Sequence, residues 1–298
     1  MPEAHPRLTP ADLSLMLLVT SGPADRPMPT VTIGQIPSVV RDCVSLGIPS
    51  VKVFAEASVP DDTGTHACAP DSLMARAIRT IKSTEPGVAV MTESCLCSYT
   101  TAGLCYLIDR YGRPDEIATA HAAGAQAVAH AEAGADVVGP ASMVLGAVGH
   151  ARRTLNETGH TNVGVMPHVI FWSRLYDAFR RILGATPQGR EDREFQVHPA
   201  KPEQFVDTAL GMVRDGADMP LLGPALFSVD VLTVLRNHTR VPIFPFSVSG
   251  EYRPLAPMSP DGGGRDYGLL LELAVTTKRA GATALLTYAA RDLARRLP

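Results

Sequence analysis

The sequence predicts a (β/α)8 barrel in a single domain, and three observations carry that expectation. Apolar β-type runs alternate with amphipathic helical segments almost to the C-terminus, the count reaches eight of each, and several helical segments end in glycine just before the next apolar run. At 298 residues the chain suits one such domain or two smaller units, and the unbroken alternation favours one. A doubly wound open sheet is the alternative that the pattern leaves.

Residues 1–12 are polar and proline-bearing, which predicts a short N-terminal arm ahead of a barrel spanning 13–298. The first strand is expected at 13–19 (LSLMLLV), followed by a helix at 36–46 that the glycine of LGI closes. A strand at 50–54 (SVKVF) precedes a helix at 71–84, and a strand at 87–92 precedes a helix at 115–133 capped by AGAD. Strands at 135–138 and 163–168 alternate with helices at 145–157 and 172–184, and a further helix at 202–215 ends in DGAD. The last three strands are expected at 219–222, 242–248 and 283–287, separated by helices at 228–237 and 266–280, the latter closed by AGAT. The stretches GATPQGREDRE (184–194) and SPDGGGRD (259–266) read as surface loops, and the first is long enough to serve as an active-site lid.

Hydrophobic residues make up 45% of the chain and charged residues 19%, with a net charge of -3, which describes a globular protein and implies no nucleic-acid partner. LSLMLLV is far too short to span a bilayer, and no basic segment followed by an apolar one opens the chain, so the expectation is a cytoplasmic protein without a membrane partner. In a reducing compartment five cysteines are not a disulfide framework.

Three of the five, Cys95, Cys97 and Cys105, lie in ESCLCSYTTAGLC (93–105). This segment follows the third strand and so belongs to the C-terminal face, where barrel active sites are assembled. On an extended chain Cys95 and Cys97 point to one side, and the Thr-Thr-Ala-Gly turn can return Cys105 to them. Three thiolates can hold Zn2+ and leave a fourth position open, as a catalytic zinc needs. Buried cysteine also occurs as a small hydrophobe without any metal, and C-x-C-x7-C is not a zinc-finger spacing.

The same segment resembles the zinc-binding stretch of porphobilinogen synthase, the 5-aminolevulinate dehydratase family, whose pattern is D-x-C-L-C-x-Y-T-x-H-G-H-C. AEAGADVVGPASMVLG (131–146), LYDAFR (175–180), DGADMPLLGPAL (215–226), SVSGEY (247–252) and KRAGATALLTY (278–288) follow that family in the same order. The resemblance implies a (β/α)8 barrel, a Zn2+ on Cys95, Cys97 and Cys105, and a small carboxylate-bearing substrate.

It also implies losses. Family members condense two molecules of 5-aminolevulinate through two lysines that form Schiff bases, and those positions here hold Phe171 and Gly223, neither of which can form an imine. Ser142 and Leu145 stand at aspartate positions, Ala147 at an arginine, and Ala102 and Leu104 at two histidines beside the cysteines. Ser249 and Tyr288 match family residues that bind a substrate carboxylate, Arg180 matches the family's F-R arginine, and Arg193 and Gln196 approximate the lid motif. Each of these has a plainer reading, as a solvated charge or a group that satisfies the backbone.

Four lysines remain, and Lys52 is distinctive because it lies inside the apolar SVKVF strand, where an amine is either lifted to the rim or buried with a lowered pKa. It is a candidate relocated Schiff-base lysine. His168, at the end of the fifth strand, is a candidate acid–base group. The expectation is a divergent, zinc-dependent lyase or condensing enzyme for a small amino or keto acid, plausible in specialised metabolism. A catalytically silent barrel that binds a metabolite or partner protein is the alternative. The arm is shorter than the one that builds octamers in the family, so a homodimer is expected.

Overall fold

The structure, a computed structural model, describes residues 7–22, 28–57, 59–183, 185, 194–260 and 264–297. Eight parallel strands form its centre: β1 (Leu13–Val19), β2 (Ser50–Ala55), β3 (Ala89–Thr92), β4 (Val137–Val138), β5 (Gly164–Val165 continued by His168–Ile170), β6 (Leu221–Gly223), β7 (Phe244–Pro245) and β8 (Leu285–Thr287).

The ladder runs β1 to β2 to β3 to β4 to β5, then β5 to β6 to β7. Phe246, just past β7, bridges Leu286 of β8, and β8 pairs with β1 at Leu13↔Leu285. The ring is therefore closed, which excludes the open doubly wound sheet and leaves the eight barrel strands without a free edge. All seven residues of β1 are buried, because one side faces the barrel interior and the other the helices. Each such leucine or valine contributes roughly 1.5–3 kcal/mol relative to exposure.

The outer layer consists of α1 (Ile36–Ser45), α2 (Leu73–Thr84), α3 (Glu116–Glu132), α4 (Ala147–Glu157), α5 (Asp177–Ile182), α6 (Pro202–Arg214), α7 (Val229–His238), α8 (Ser249–Leu255), α9 (Gly268–Arg279) and α10 (Ala290–Ala294). Local chemistry sets several starts. Ser72 accepts from the Ala75 N–H ahead of α2, and Asp115 accepts from the Ala118 N–H ahead of α3. Leu8 is buried against the core and Asp12 pairs with Lys278 of α9, so residues 7–12 rest on the barrel.

Three expectations need correction. The helix expected at 172–184 begins only at Asp177, because Trp172 and Ser173 stay extended and the Ser173 hydroxyl caps the Leu175 N–H. The strand expected at 242–248 shrinks to Phe244–Pro245, since Pro242 and Pro245 have no N–H to give the ladder. Helices α8 and α10 and the small antiparallel pair Leu107–Ile108 with Pro114–Asp115 went unforeseen. Most of the expected lid, residues 184 and 186–193, lies outside the described residues, and Arg193 with it. Among the described residues no helix is long and apolar enough to cross a membrane.

Candidate active site and metal centre

Strand alternation decides what reaches the top of the barrel. On β2, Lys52 and Phe54 share the interior side, and on β5 His168 and Ile170 do so. Val169 and Phe171 take the other side, where Phe171 stacks on Phe205 of α6 with ring centroids 4.2 Å apart. At the C-terminal ends a small cavity of about 50 Å3 is bounded by Phe54, Glu93, Cys95, Cys97, Cys105, Ala141, His168, Ile170, Tyr176, Phe179, Arg180, Gln196 and Phe246. Six expected site residues thus meet in one wall: the three cysteines, His168, Arg180 and Gln196.

The cysteines arrive as their sequence requires. Beyond β3 the ladder continues through Ser94 N–H to Gly139 O (2.8 Å) and Ala141 N–H to Ser94 O (3.1 Å), which places Cys95 beside the barrel mouth. The Tyr99 and Thr100 N–H groups then both bond Leu96 O, and Gly103 adopts φ 68°. That turn brings Cys105 back. The Gln126 amide of α3 donates to Cys95 O at 3.1 Å and holds the segment down. The Cys95 and Cys97 sulfurs lie 3.3 Å apart, and all three sulfurs lie within 4.8 Å of one another.

Tetrahedral zinc with thiolates at about 2.3 Å needs sulfurs about 3.8 Å apart, so this donor set fits a Zn2+-sized ion. Cys95 and Cys97 are buried and Cys105 partly so. Contact with the Cys105 sulfur, together with burial, pushes the Cys97 thiol well up. A dication would relieve that mutual opposition to ionisation.

Lys52 lies one layer below. It is fully buried, its Nζ donates to Thr92 O at 2.9 Å, and it forms no part of the cavity wall. Gly139 makes room for it, since a Cβ there would come within 2.7 Å of Nζ and 2.6 Å of Thr92 O. Burial lowers the Lys52 pKa, with the charge of Glu93 opposing, and burial raises that of Glu93, with Lys52 and Arg180 opposing.

Two other expected residues are displaced from the wall. The Ser249 hydroxyl accepts from Phe179 N–H (3.0 Å) and donates to Leu175 O (3.2 Å), so it braces the start of α5 instead of facing the cavity. Tyr288 stands behind Phe246, ring centroids 6.3 Å apart, with its hydroxyl buried and without a partner among the described residues. Sequence reasoning missed Phe54, Glu93, Tyr176, Phe179 and Phe246. Glu93 opens the cysteine segment and Phe54 follows Lys52 at strand period, so both carried a positional signal.

A larger cavity of about 480 Å3 lies between α4, α6 and residues 194–197, lined by Glu116, Leu145, Phe195, Asp207 and Asp215 among others. Its lining includes no thiol and no histidine, and we place the chemistry in the smaller one.

Below the site, His130 of α3 pairs its Nδ1 with the Thr92 hydroxyl at 3.0 Å. Burial, with the Lys52 charge, brings His130 from 6.5 down to about 4. A depressed folded pKa means that the unfolded chain takes the proton first as pH falls. The contribution is therefore full above pH 6.5 and is lost progressively down to about 4, at roughly 1.4 kcal/mol per pH unit. Denaturant midpoints measured across that window should fall steeply for the wild type and less steeply for His130→Gln. Parallel curves would contradict the assignment.

A family model described as delta-aminolevulinic acid dehydratase matches residues 6–296. The delta-aminolevulinic acid dehydratase of Bacillus subtilis is 31% identical over 298 residues, covering 97% of this chain and 91% of its own. That of Halalkalibacterium halodurans is 32% identical over 272 residues, covering 90% and 83%. A crystal structure of the Toxoplasma gondii enzyme, delta-aminolevulinic acid dehydratase (porphobilinogen synthase) in complex with porphobilinogen, superposes with a TM-score of 0.91 at 27% identity, covering 97% of this chain and 85% of that one.

Proposed function

The chain belongs to the delta-aminolevulinic acid dehydratase family, and from that premise we propose that it is a zinc-dependent lyase or condensing enzyme for a small amino or keto acid, working without a lysine imine. The observation that carries the reading is the meeting of three thiols with His168, Arg180 and Gln196 around one cavity at the C-terminal face. Cys95, Cys97 and Cys105 would hold the zinc, which when bound polarises a carbonyl or activates water.

The other groups have separate tasks. The Arg180 guanidinium offers a fork to a substrate carboxylate, with Gln196 beside it and Arg193 expected to join them. His168 holds or moves a proton at Nε2, and its imidazole stays neutral because burial, with the charge of Lys52, lowers its pKa well below the ordinary range. Phe54, Phe179 and Phe246 form the apolar part of the wall and would shield a bound ligand from bulk water. We place the protein in the cytoplasm, a setting that suits five unbridged cysteines.

The test is a panel of small keto and amino acids, screened by thermal shift on zinc-loaded protein. At least one acid should raise the unfolding temperature. Arg180→Ala should then weaken that acid by roughly 1–3 kcal/mol, as for loss of a charge-assisted hydrogen bond, while its amide binds as before. Equal losses for acid and amide would remove Arg180 from carboxylate binding.

One observation favours a second reading, a silent barrel that binds a metabolite or partner protein. About 50 Å3 is room for one or two waters, and an acid of six or more heavy atoms enters only if an aromatic ring such as Phe179 turns aside. If no acid in the panel stabilises the protein, the silent barrel stands. We also propose a homodimer, since two-fold dimers are the commonest closed assembly. Light scattering should give twice the chain mass, and an octamer would overturn this.

A further inference from the structure

We propose that Tyr176 and His168 form a neutral two-point hydrogen-bonding hole, which selects a ligand carrying an uncharged carbonyl oxygen in addition to its carboxylate. The inference rests on the reading above and names a subsite within it.

Both groups bound the cavity, and both present a buried polar atom, Tyr176 Oη and His168 Nε2, that meets no partner among the described residues. Tyr176 is 9% exposed and His168 5%. A buried phenol or imidazole left without a partner is costly, and such groups are retained where a ligand completes them.

Gly223 is what lets Tyr176 stand there. A Cβ on residue 223 would lie 2.5 Å from Tyr176 Oη and 3.5 Å from Ile170 Cγ2, so the hydroxyl occupies the space that a side chain from the end of β6 would fill. The position that bears no nucleophile has therefore become the seat of a hydrogen-bond donor.

Neither group is charged. Burial, then the nearby Glu251, pushes the Tyr176 phenol well up, and burial, then Lys52, pulls His168 well down. A neutral phenol, with a neutral imidazole that donates in its Nε2–H tautomer, suits a ketone oxygen, which accepts from Tyr176 Oη, and discriminates little in favour of an anion. The carboxylate belongs to Arg180 on the same wall.

The experiment is calorimetric binding of 2-oxopentanoate, 4-oxopentanoate and pentanoate to the zinc-loaded full chain. In the wild type at least one keto acid should bind about tenfold more tightly than pentanoate, the worth of one buried hydrogen bond. Tyr176→Phe should erase that preference while leaving pentanoate affinity and zinc content unchanged. Gly223→Ala should do the same by displacing the hydroxyl without removing it, and it keeps the test open should Tyr176→Phe fold poorly. A preference that survives both substitutions overturns the hole. Equal wild-type binding of all three acids also overturns it, yet leaves the carboxylate site and the metal standing. Binding of none overturns both.

Discussion

Replacing Cys97 by alanine is expected to reduce zinc from about one ion per chain to a trace after dialysis. Cys97 is the buried sulfur nearest to Cys95, at 3.3 Å, and together with Cys105 it makes the trio fit for a metal among the described residues. Two thiolates and water cannot replace three thiolates, because each zinc–sulfur bond also removes a proton from a thiol that burial holds in its neutral form. The control is Cys68→Ala, whose sulfur lies outside the trio and is itself half-buried. It should keep full zinc content. Elemental analysis and the thiolate absorption of cobalt-substituted protein give two readouts that do not depend on turnover. Retention of zinc by the Cys97 variant, or its absence from wild-type protein loaded with zinc, would sink the metal assignment and the mechanism built on it.

How far the sequence led depends on which physical signal each element carries. β1 was legible to the residue because LSLMLLV is apolar on both faces, as a barrel strand between core and helices must be. β7 was overextended because hydropathy does not register that Pro242 and Pro245 lack a donor. The placement of the thiol trio and His168 at one mouth was legible from strand position, since the segment after β3 and the end of β5 point the same way. Ser249 rested on motif similarity, which says nothing about partners, and its hydroxyl bonds the Leu175 carbonyl and the Phe179 N–H at the neighbouring helix. Tyr176 escaped notice for the converse reason. Its importance comes from a side chain that Gly223 does not have, and that relation between two elements appears only once β6 and the start of α5 are packed together.

Incubation with 5-aminolevulinate and borohydride is expected to leave the mass of the chain unchanged, and no porphobilinogen should form. Imine formation needs a neutral amine that can reach the ketone. The four lysines fail that requirement in different ways. Lys82 pairs with Asp136 at 2.9 Å and Lys278 pairs with Asp12, so both side chains are tied to carboxylates and neither lines the cavity. Lys201 is exposed just before α6. Lys52 is the instructive case, because burial favours its neutral form and on that ground alone it would be a fit nucleophile. Access is what it lacks. Its side chain is 0% exposed, its Nζ is bonded to Thr92 O, and the Gly139 backbone closes the space beneath. A ketone could reach Nζ only after the interior side chains above it, Phe54 among them, had moved. Lys52→Met should therefore leave ligand binding at the cavity within about twofold of wild type, whereas loss of a nucleophile would remove turnover altogether. A reduced adduct mapped by mass spectrometry to Lys52 would reverse the argument, since it would mean that the barrel opens to its second layer and that the imine chemistry has moved from β5 and β6 across the barrel to β2 instead of being lost.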